Sequence, residues 1–469
     1  MHHRFTVPAA DWDERNPDKR VIRGLILKHH GFTDQLRHNR DYYEGKHSIL
    51  NEKDRKAQLV CNHAKDIADT ASSYFIGNPV SYKSDTDITA LTDALETAGA
   101  DEADGDNGLD LSVYGRAYEY IYVREGETEL SIRNLSPENT FMVYDDSIEE
   151  KELFGVYYYA RKDDTDRRST AYTATILTRN YRYVMDIQDI KGAQDLTEQP
   201  EEHYMGEVPL VEYQNNKLGI GDYELQIPLI DAYNALMSDR VTDKEQFIDA
   251  ILALYGFMLG DADTKDENGK TAAQRLREDK LLDGLPVDGK AEYLTRTYDE
   301  SGVEILKKAL EQDIHKFSHI PCMSDESFGG NVSGVAMEFK LLGMENITKI
   351  KTRYYKKGLR KRLRIFCTFL GKKGIHVEPS GITESFTRAL PKNLLEISQI
   401  VANLWGKVSK KTLLSQIPFV EDPDAELEAV EKEARETVEQ QKEMFGLGSN
   451  LPPERQEEEE GEGRDEINE

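Results

Sequence analysis

The sequence predicts an α+β chain, predominantly helical, and three observations carry that expectation. Long stretches repeat apolar residues at three- and four-residue steps, as an amphipathic helix does. Between about residues 80 and 215 the pattern changes to two-residue alternation rich in Tyr and Val, as in half-buried antiparallel strands. Beyond that region the helical period returns and holds almost to the end.

Taken in order, residues 1–76 read mainly as helix. Phe32–Leu50 and Asn62–Phe75 are the clear stretches, and Gly77-Asn78-Pro79 stops the second. Tyr114–Val123, Leu130–Leu135, Thr140–Tyr144, Phe154–Arg161 and Ala171–Val184 read as strands, forming a twisted sheet with helices on it. From Pro228 to Leu259, Ile230, Tyr233, Met237, Val241, Ile248, Ile251, Tyr255 and Met258 fall at helical steps with one gap at Lys244. The spacing predicts a single helix of about 32 residues, roughly 48 Å long. Pro228 suits its first turn, where a missing N–H has no intrahelical partner.

A second helix, Glu300–His319, carries Val303, Leu306, Leu310, Ile314 and Phe317 on one face and stops before Pro321. Between the two helices lies polar, turn-rich Gly260–Tyr298, with short apolar runs at Leu281-Leu282 and Leu285-Pro286-Val287. The pattern is two long helices with a small insert at their far end. A loop bearing Gly329-Gly330 follows, and Ser333 is placed to cap a long helix from Gly334 to about Phe369. Ile375–Arg388 is expected to return to the sheet. Pro391–Trp405, a short helix capped by Ser409, and Asp424–Phe445 introduced by Asp422-Pro423 complete the chain.

Charge is distributed unevenly over the 469 residues. Lys and Arg number 60 against 88 Asp and Glu, for a formal net charge of −28. Such an excess argues against a surface that grips nucleic-acid phosphates broadly, though not against one that nucleic acid slides past. Glu421–Glu469 holds 19 acidic and 5 basic residues, net −14, and its last part, 446–469, is expected to be a disordered acidic tail. Asn346–Val377 is the opposite, with eleven Lys or Arg and no acid. Mean hydropathy is −0.66, no run approaches the ~20 apolar residues of a membrane helix, and Met1–Ala10 has no apolar signal core. Three scattered cysteines, Cys61, Cys322 and Cys367, suggest a reducing compartment and make neither a disulfide framework nor a CxxC zinc pair.

Motifs for chemistry are weak. Gly269-Lys270-Thr271 resembles the end of a P-loop, but the required earlier glycine is Thr264 and no apolar strand precedes it. The same stretch fails as a calcium loop, whose first and twelfth positions would be Thr264 and Arg275. His315 and His319 stand four apart on a helix, without the Glu or a third ligand that a zinc site needs. No Gly-x-Ser-x-Gly elbow occurs. Nothing reads as an active site. The basic helix has two readings, a phosphate-binding face with Tyr354 and Tyr355 nearby or a solvated or inter-subunit face, and the second is favoured.

Several local motifs then converge in order and spacing. They are Tyr42-Tyr43 through Gly45, His47 and Ile49; Ala68-Asp69 through Gly77, Pro79 and Tyr82; Ile227-Pro228 through Tyr233-Asn234 and Ser238-Asp239; Phe247–Gly256; Phe328–Met337; and Val408-Ser409 with Thr412, Pro418, Pro423 and Glu426. From about residue 30 to 440 the chain resembles the portal proteins of tailed siphophages, of the type common in phages of Gram-positive bacteria. The acidic tail after Pro453 is not part of that pattern.

The resemblance implies a portal fold with a wing at 1–225, a first stem helix at 226–260, a clip at 261–298 and a second stem helix at 299–320. A tunnel loop at 321–333, a long helix returning to the wing at 334–390 and a crown at 391–445 follow. It implies a non-enzymatic, cofactor-free virion protein, present in the host cytoplasm during assembly, that forms a ring of twelve at one capsid vertex. Its partners would be its own copies, a terminase, head-completion or adaptor proteins, scaffold and major capsid proteins, and double-stranded DNA passing through the channel, with no membrane. Met323, Ser324, Asp325, Glu326, Ser327, Phe328, Gly329, Gly330, Asn331 and Val332 are the expected DNA-contacting loop. Leu281, Leu282, Leu285, Pro286 and Val287 are expected to meet partners at the clip. Lys349, Arg353, Lys356, Lys357, Arg360, Lys361 and Arg364 are expected to face neighbouring subunits or DNA, with acidic groups toward the tunnel. The alternatives are another ring-forming capsid or connector protein, or a basic-helix DNA binder.

Overall fold

A computed structural model describes residues 4–160, 172–187, 200–248, 251–255, 265, 269–271, 274, 290–294, 300–323, 334–388, 394–417, 420 and 423–444. The expected clip contacts at 281–287 and all of the expected DNA-contacting residues 323–332 except Met323 lie outside these residues. The chain divides into two compact units, residues 1–390 and 391–469.

The first unit begins with a short strand β1 (Phe5–Val7), then helix α1 (Lys19–Tyr43), whose N-cap Asp18 accepts from the Arg20 N–H at 2.8 Å. Helix α1 therefore starts well before the predicted Phe32, because Ile22, Leu25 and Ile26 bury against a sheet. Helix α2 (His63–Ile76) is capped by the Asn62 side chain. Strand β2 (Ser81–Lys83) and helices α3 (Thr89–Thr97) and α4 (Ala100–Tyr114) come next, and the latter two are the helices that the sheet region was expected to carry.

Strands β3 (Arg116–Val123), β4 (Leu130–Leu135), β5 (Thr140–Asp145) and β6 (Glu152–Ala160) fall within a few residues of their predicted positions. The expected run at 171–184 is two strands, β7 (Tyr172–Leu177) and β8 (Tyr181–Ile187), paired as a hairpin. Strands β9 (Glu201–Glu202) and β10 (Leu210–Gln214) complete two sheets. One has the order β1-β5-β6-β7-β8-β9, with β1 parallel to β5 and the other pairings antiparallel; the second has the order β10-β3-β4.

The first long helix is shorter than predicted. Helix α5 spans Ile227–Ile248, and β11 (Ile251–Tyr255) follows, paired antiparallel with β12 (Lys290–Leu294). An apolar run such as Ile-Leu-Ala-Leu-Tyr fits either period, and the facing strand from 35 or more residues downstream decides for extended chain. Helix α6 (Glu300–Ser318) and the 39-residue helix α7 (Gly334–Lys372) match expectation closely. The return to a sheet is a single strand, β13 (Thr383–Ser385), on β2.

Four buried clusters organise the described residues of this unit, the smallest made by Tyr118, Met142, Tyr144, Leu177, Val208 and Leu210 between the two sheets. One joins Leu359, Leu363 and Phe366 of α7 to Leu111, Ile121 and Val211 of α4, β3 and β10. Another gathers Tyr42, Ile67, Ile230, Ile314, Leu341 and Met344 from five helices. The third packs Ile22 and Ile26 on Phe141, Phe154 and Ile176 of the larger sheet.

The second unit contains helices α8 (Leu394–Leu404), α9 (Lys410–Leu414) and α10 (Pro423–Met444). Ser409 caps α9 as predicted, its side chain accepting from the Thr412 N–H at 3.2 Å.

Candidate functional site

The basic run on α7 is where the chemistry of this chain concentrates. Eleven residues make about three helical turns, so Lys351 and Arg362 share one face. That face also holds Tyr355 and Phe366 and is the one packed on the sheet. Both cations are consequently buried, and each is met by acid. Lys351 Nζ reaches Asp222 Oδ2 at 2.6 Å and Ser112 Oγ at 3.2 Å. Arg362 is fully buried, with Nε 2.9 Å from Glu119 Oε1 and Nη2 2.6 Å from Asp104 Oδ1, and it bonds the second Glu119 oxygen as well.

The neighbours complete this network. Tyr355 donates its hydroxyl to Asp104 at 2.5 Å, Tyr213 donates to Glu119 at 3.0 Å, and Asn107 donates to Glu119 at 3.1 Å. Burial opposes the Arg362 charge, yet Asp104 and Glu119 hold the guanidinium well above its usual range. Burial likewise drives the Tyr213 and Tyr355 hydroxyls well above theirs, so both remain donors.

The expected outward basic face needs correction at Lys361. It is buried, bonded to Glu152 and to the Leu210 carbonyl at 2.6 Å, because the sheet covers that side of the helix. Lys356 is partly covered and donates to the Glu384 carbonyl at 2.6 Å. Lys349, Arg353, Lys357, Arg360 and Arg364 are exposed, although Arg364 forks onto Glu207 at 2.6 and 3.0 Å. Sequence reading counted Lys351 and Arg362 in the run without separating them from the surface. Their coincidence with the apolar stripe was the available signal, whereas nothing local pointed to Asp104, Glu119 or Asp222.

His315, paired in sequence with His319, donates from Nδ1 to the Ile320 carbonyl at 3.0 Å and lies edge-on to His63. Among the described residues no group of three or more His, Cys, Asp or Glu side chains is placed to hold a metal ion. No helix among the described residues is long and apolar enough to cross a membrane.

The two long helices flanking the expected loop show a different feature. Ile305, Leu306 and Phe317 of α6 are 70%, 49% and 56% exposed, and Phe339, Leu342 and Ile350 of α7 are 72%, 50% and 45% exposed. Met323, at the start of the loop, is 47% exposed. Leu306 and Phe317 belong to the stripe that the sequence assigned to a buried face, and among the described residues neither is buried.

Residues 25–440 match the family model described as phage portal protein, SPP1 Gp6-like. The chain belongs to the phage portal protein family. As a portal protein it is a structural component of the phage virion, and its role is the passage of DNA into and out of the capsid. The portal protein of Bacillus phage SPP1 is 26% identical over 463 residues, which covers 92% of this chain and 86% of that protein. The portal protein of Clostridium phage phiCD119 is 21% identical over 434 residues, covering 86% and 93% respectively. A chain in the solved neck of a native GTA particle, computed with C12 symmetry, overlays 76% of this chain and 88% of its own at a TM-score of 0.43 and 12% identity.

Proposed function

We propose that this portal protein assembles as a ring of twelve at one capsid vertex, with α5 and α6 as the stem. The clip is the insert between these helices, including β11 and β12, and the wing is the N-terminal helices with the two larger sheets. The crown is residues 391–445, within the second unit. The observation that supports this reading best is the set of large apolar side chains left exposed on α6 and α7. Large exposed apolar patches mark interaction surfaces, and a ring gives every copy the same neighbour on either side. Lys349, Arg353 and Lys357 then face adjoining subunits. During packaging the clip docks a terminase and later the head-completion proteins, while Met323–Val332 touches the DNA.

Light scattering and negative-stain imaging test the ring. Twelve chains of 53.5 kDa give a particle of about 640 kDa with a central hole. Combining Phe339→Asp with Ile305→Asp should reduce it to monomers of unchanged helicity, because burying either carboxylate unpaired in an interface costs several kcal/mol. A compact wild-type monomer overturns the reading. A terminase-driven packaging assay then separates clip from loop. Aspartate substitutions across Leu281–Val287 should abolish docking, whereas deleting Gly329-Gly330 should leave docking intact and stall DNA. Normal packaging in both variants counts against the two assignments.

A further inference from the structure

Residues 44–62, between α1 and α2, lie as a strap along one face of α5. Tyr42 and Ser48 donate to Asp231 at 2.6 and 3.0 Å, and Arg55 reaches Asp239 at 2.5 Å. The backbone N–H of Leu59 donates to Ser238 Oγ at 2.9 Å, and that of Cys61 donates to Asn234 Oδ1 at 2.8 Å. His47 and Asn234 are both fully buried at the centre of these contacts.

The hydrogen bonds around His47 admit one protonation state. Cys61 is a backbone donor, so Asn234 must turn its oxygen to it and its amide nitrogen to His47 Nδ1, 2.8 Å away. On the other side His47 Nε2 is 3.0 Å from the Tyr42 carbonyl, an acceptor, so the ring hydrogen resides there. The imidazole is thus neutral, with its one lone pair occupied by an amide N–H. A second proton on Nδ1 would face that donor directly, and relief requires breaking the Asn234 bond to His47 or to Cys61.

We propose that His47 and Asn234 form a proton-sensitive latch that holds the strap on α5 near neutral pH and releases it in mild acid. The surroundings do little to support a charged ring. Asp231 of α5 is the nearest acid, but the Tyr42 and Ser48 hydroxyls already occupy its Oδ1. From α1 the ring meets the stacked face of Tyr42, which His38 flanks at 4.8 Å, and from α2 the imidazole of His63 lies within electrostatic reach. Burial holds His47 below its ordinary value against the opposing pull of the Tyr42 carbonyl, the Asn62 side chain and Asp231. With a lowered native value, the stabilisation is present above the usual histidine range near 6.5 and is lost as pH falls toward the native one. The latch concerns the joint at the head of α5 and requires no assembled ring.

Hydrogen exchange on the full chain at pH 7.5 and 5.5, corrected for the intrinsic exchange rate, reads this directly. Peptides covering Leu59 and Cys61 should open severalfold more readily at pH 5.5, at most about tenfold, relative to those of β3. In Asn234→Asp one oxygen still accepts from Cys61 while the other accepts a proton-bearing Nδ1, so the acid-induced opening should vanish or reverse. His47→Gln, which cannot titrate, should also lose it, and this variant decides the matter if Asn234→Asp does not fold. His63→Gln should retain it. Equal protection of the wild-type strap at both pH values overturns the proposal, as does acid opening that persists in Asn234→Asp or His47→Gln.

Discussion

Replacing Arg362 by methionine is expected to destabilise the chain by about 3–5 kcal/mol, the usual cost of removing one member of a buried ion network. Asp104 and Glu119 have side chains only 4% and 0% exposed, so each would be left as a buried carboxylate without its cation. Their remaining donors, the Tyr355 and Tyr213 hydroxyls and the Asn107 amide, do not supply a compensating charge. Arg362→Lys should recover only part of the loss, since one ammonium cannot reproduce a fork that engages two carboxylates. A triple replacement of Arg362, Asp104 and Glu119 by apolar residues of similar volume should restore most of the stability, because the cost lies in the unpaired charges rather than in the space. Urea unfolding of the three variants checks the order. A loss below about 1 kcal/mol for Arg362→Met would mean that the network is solvated and that the helix is held by apolar contacts alone.

Gly358→Ala should be destabilising by about 1–3 kcal/mol, although alanine is the better helix former by about 1 kcal/mol. A Cβ at this position would stand 2.4 Å from Tyr213 Cε1 and 2.5 Å from Cδ1. Tyr213 cannot swing away, because its ring is fully buried against Tyr355 at 4.4 Å and its hydroxyl is tied to Glu119. The helix would have to lift from β10, opening the same interface that Arg362 pins. Gly343→Ala on the same helix provides the contrast. Its Cβ would meet nothing closer than His319 at 3.7 Å, so it should be neutral or stabilising by about 0.5–1 kcal/mol. Thermal unfolding distinguishes the two, and a Gly358→Ala chain that melts with or above the parent would show that α7 does not rest on Tyr213.

Both effects place the strongest constraint of the fold on the contact between the long helix and the three-stranded sheet. In the ring proposed above, this contact would tie the helix that follows the tunnel loop to the wing. Movement at the loop would then act on a rigid anchor, with the exposed apolar side chains facing a neighbour and the buried cations facing the chain's own sheet.

Much of this was legible in the sequence. Helices α6 and α7, strand β4, the Ser409 cap and the ordered set of local motifs each depend on residues close together along the chain. A hydrogen-bond period and an amphipathic stripe are local properties, so 3.6- and two-residue repeats report them directly. The same is true of the family, whose motifs are short and whose order is linear.

Tertiary structure alone decided three matters. Helix α5 ends at Ile248 because Lys290–Leu294 offers Ile251–Tyr255 a strand to pair with, and the apolar run is compatible with either period. Lys361 turns inward because Glu152 and the Leu210 carbonyl lie opposite it. Arg362 is tolerated in a core because Glu119, 243 residues away in sequence, meets it there. Charge seen along a chain carries no information about what will face it. A cation's place is set by the carboxylate that the fold brings to it, since without one its burial would cost more than the helix packing returns.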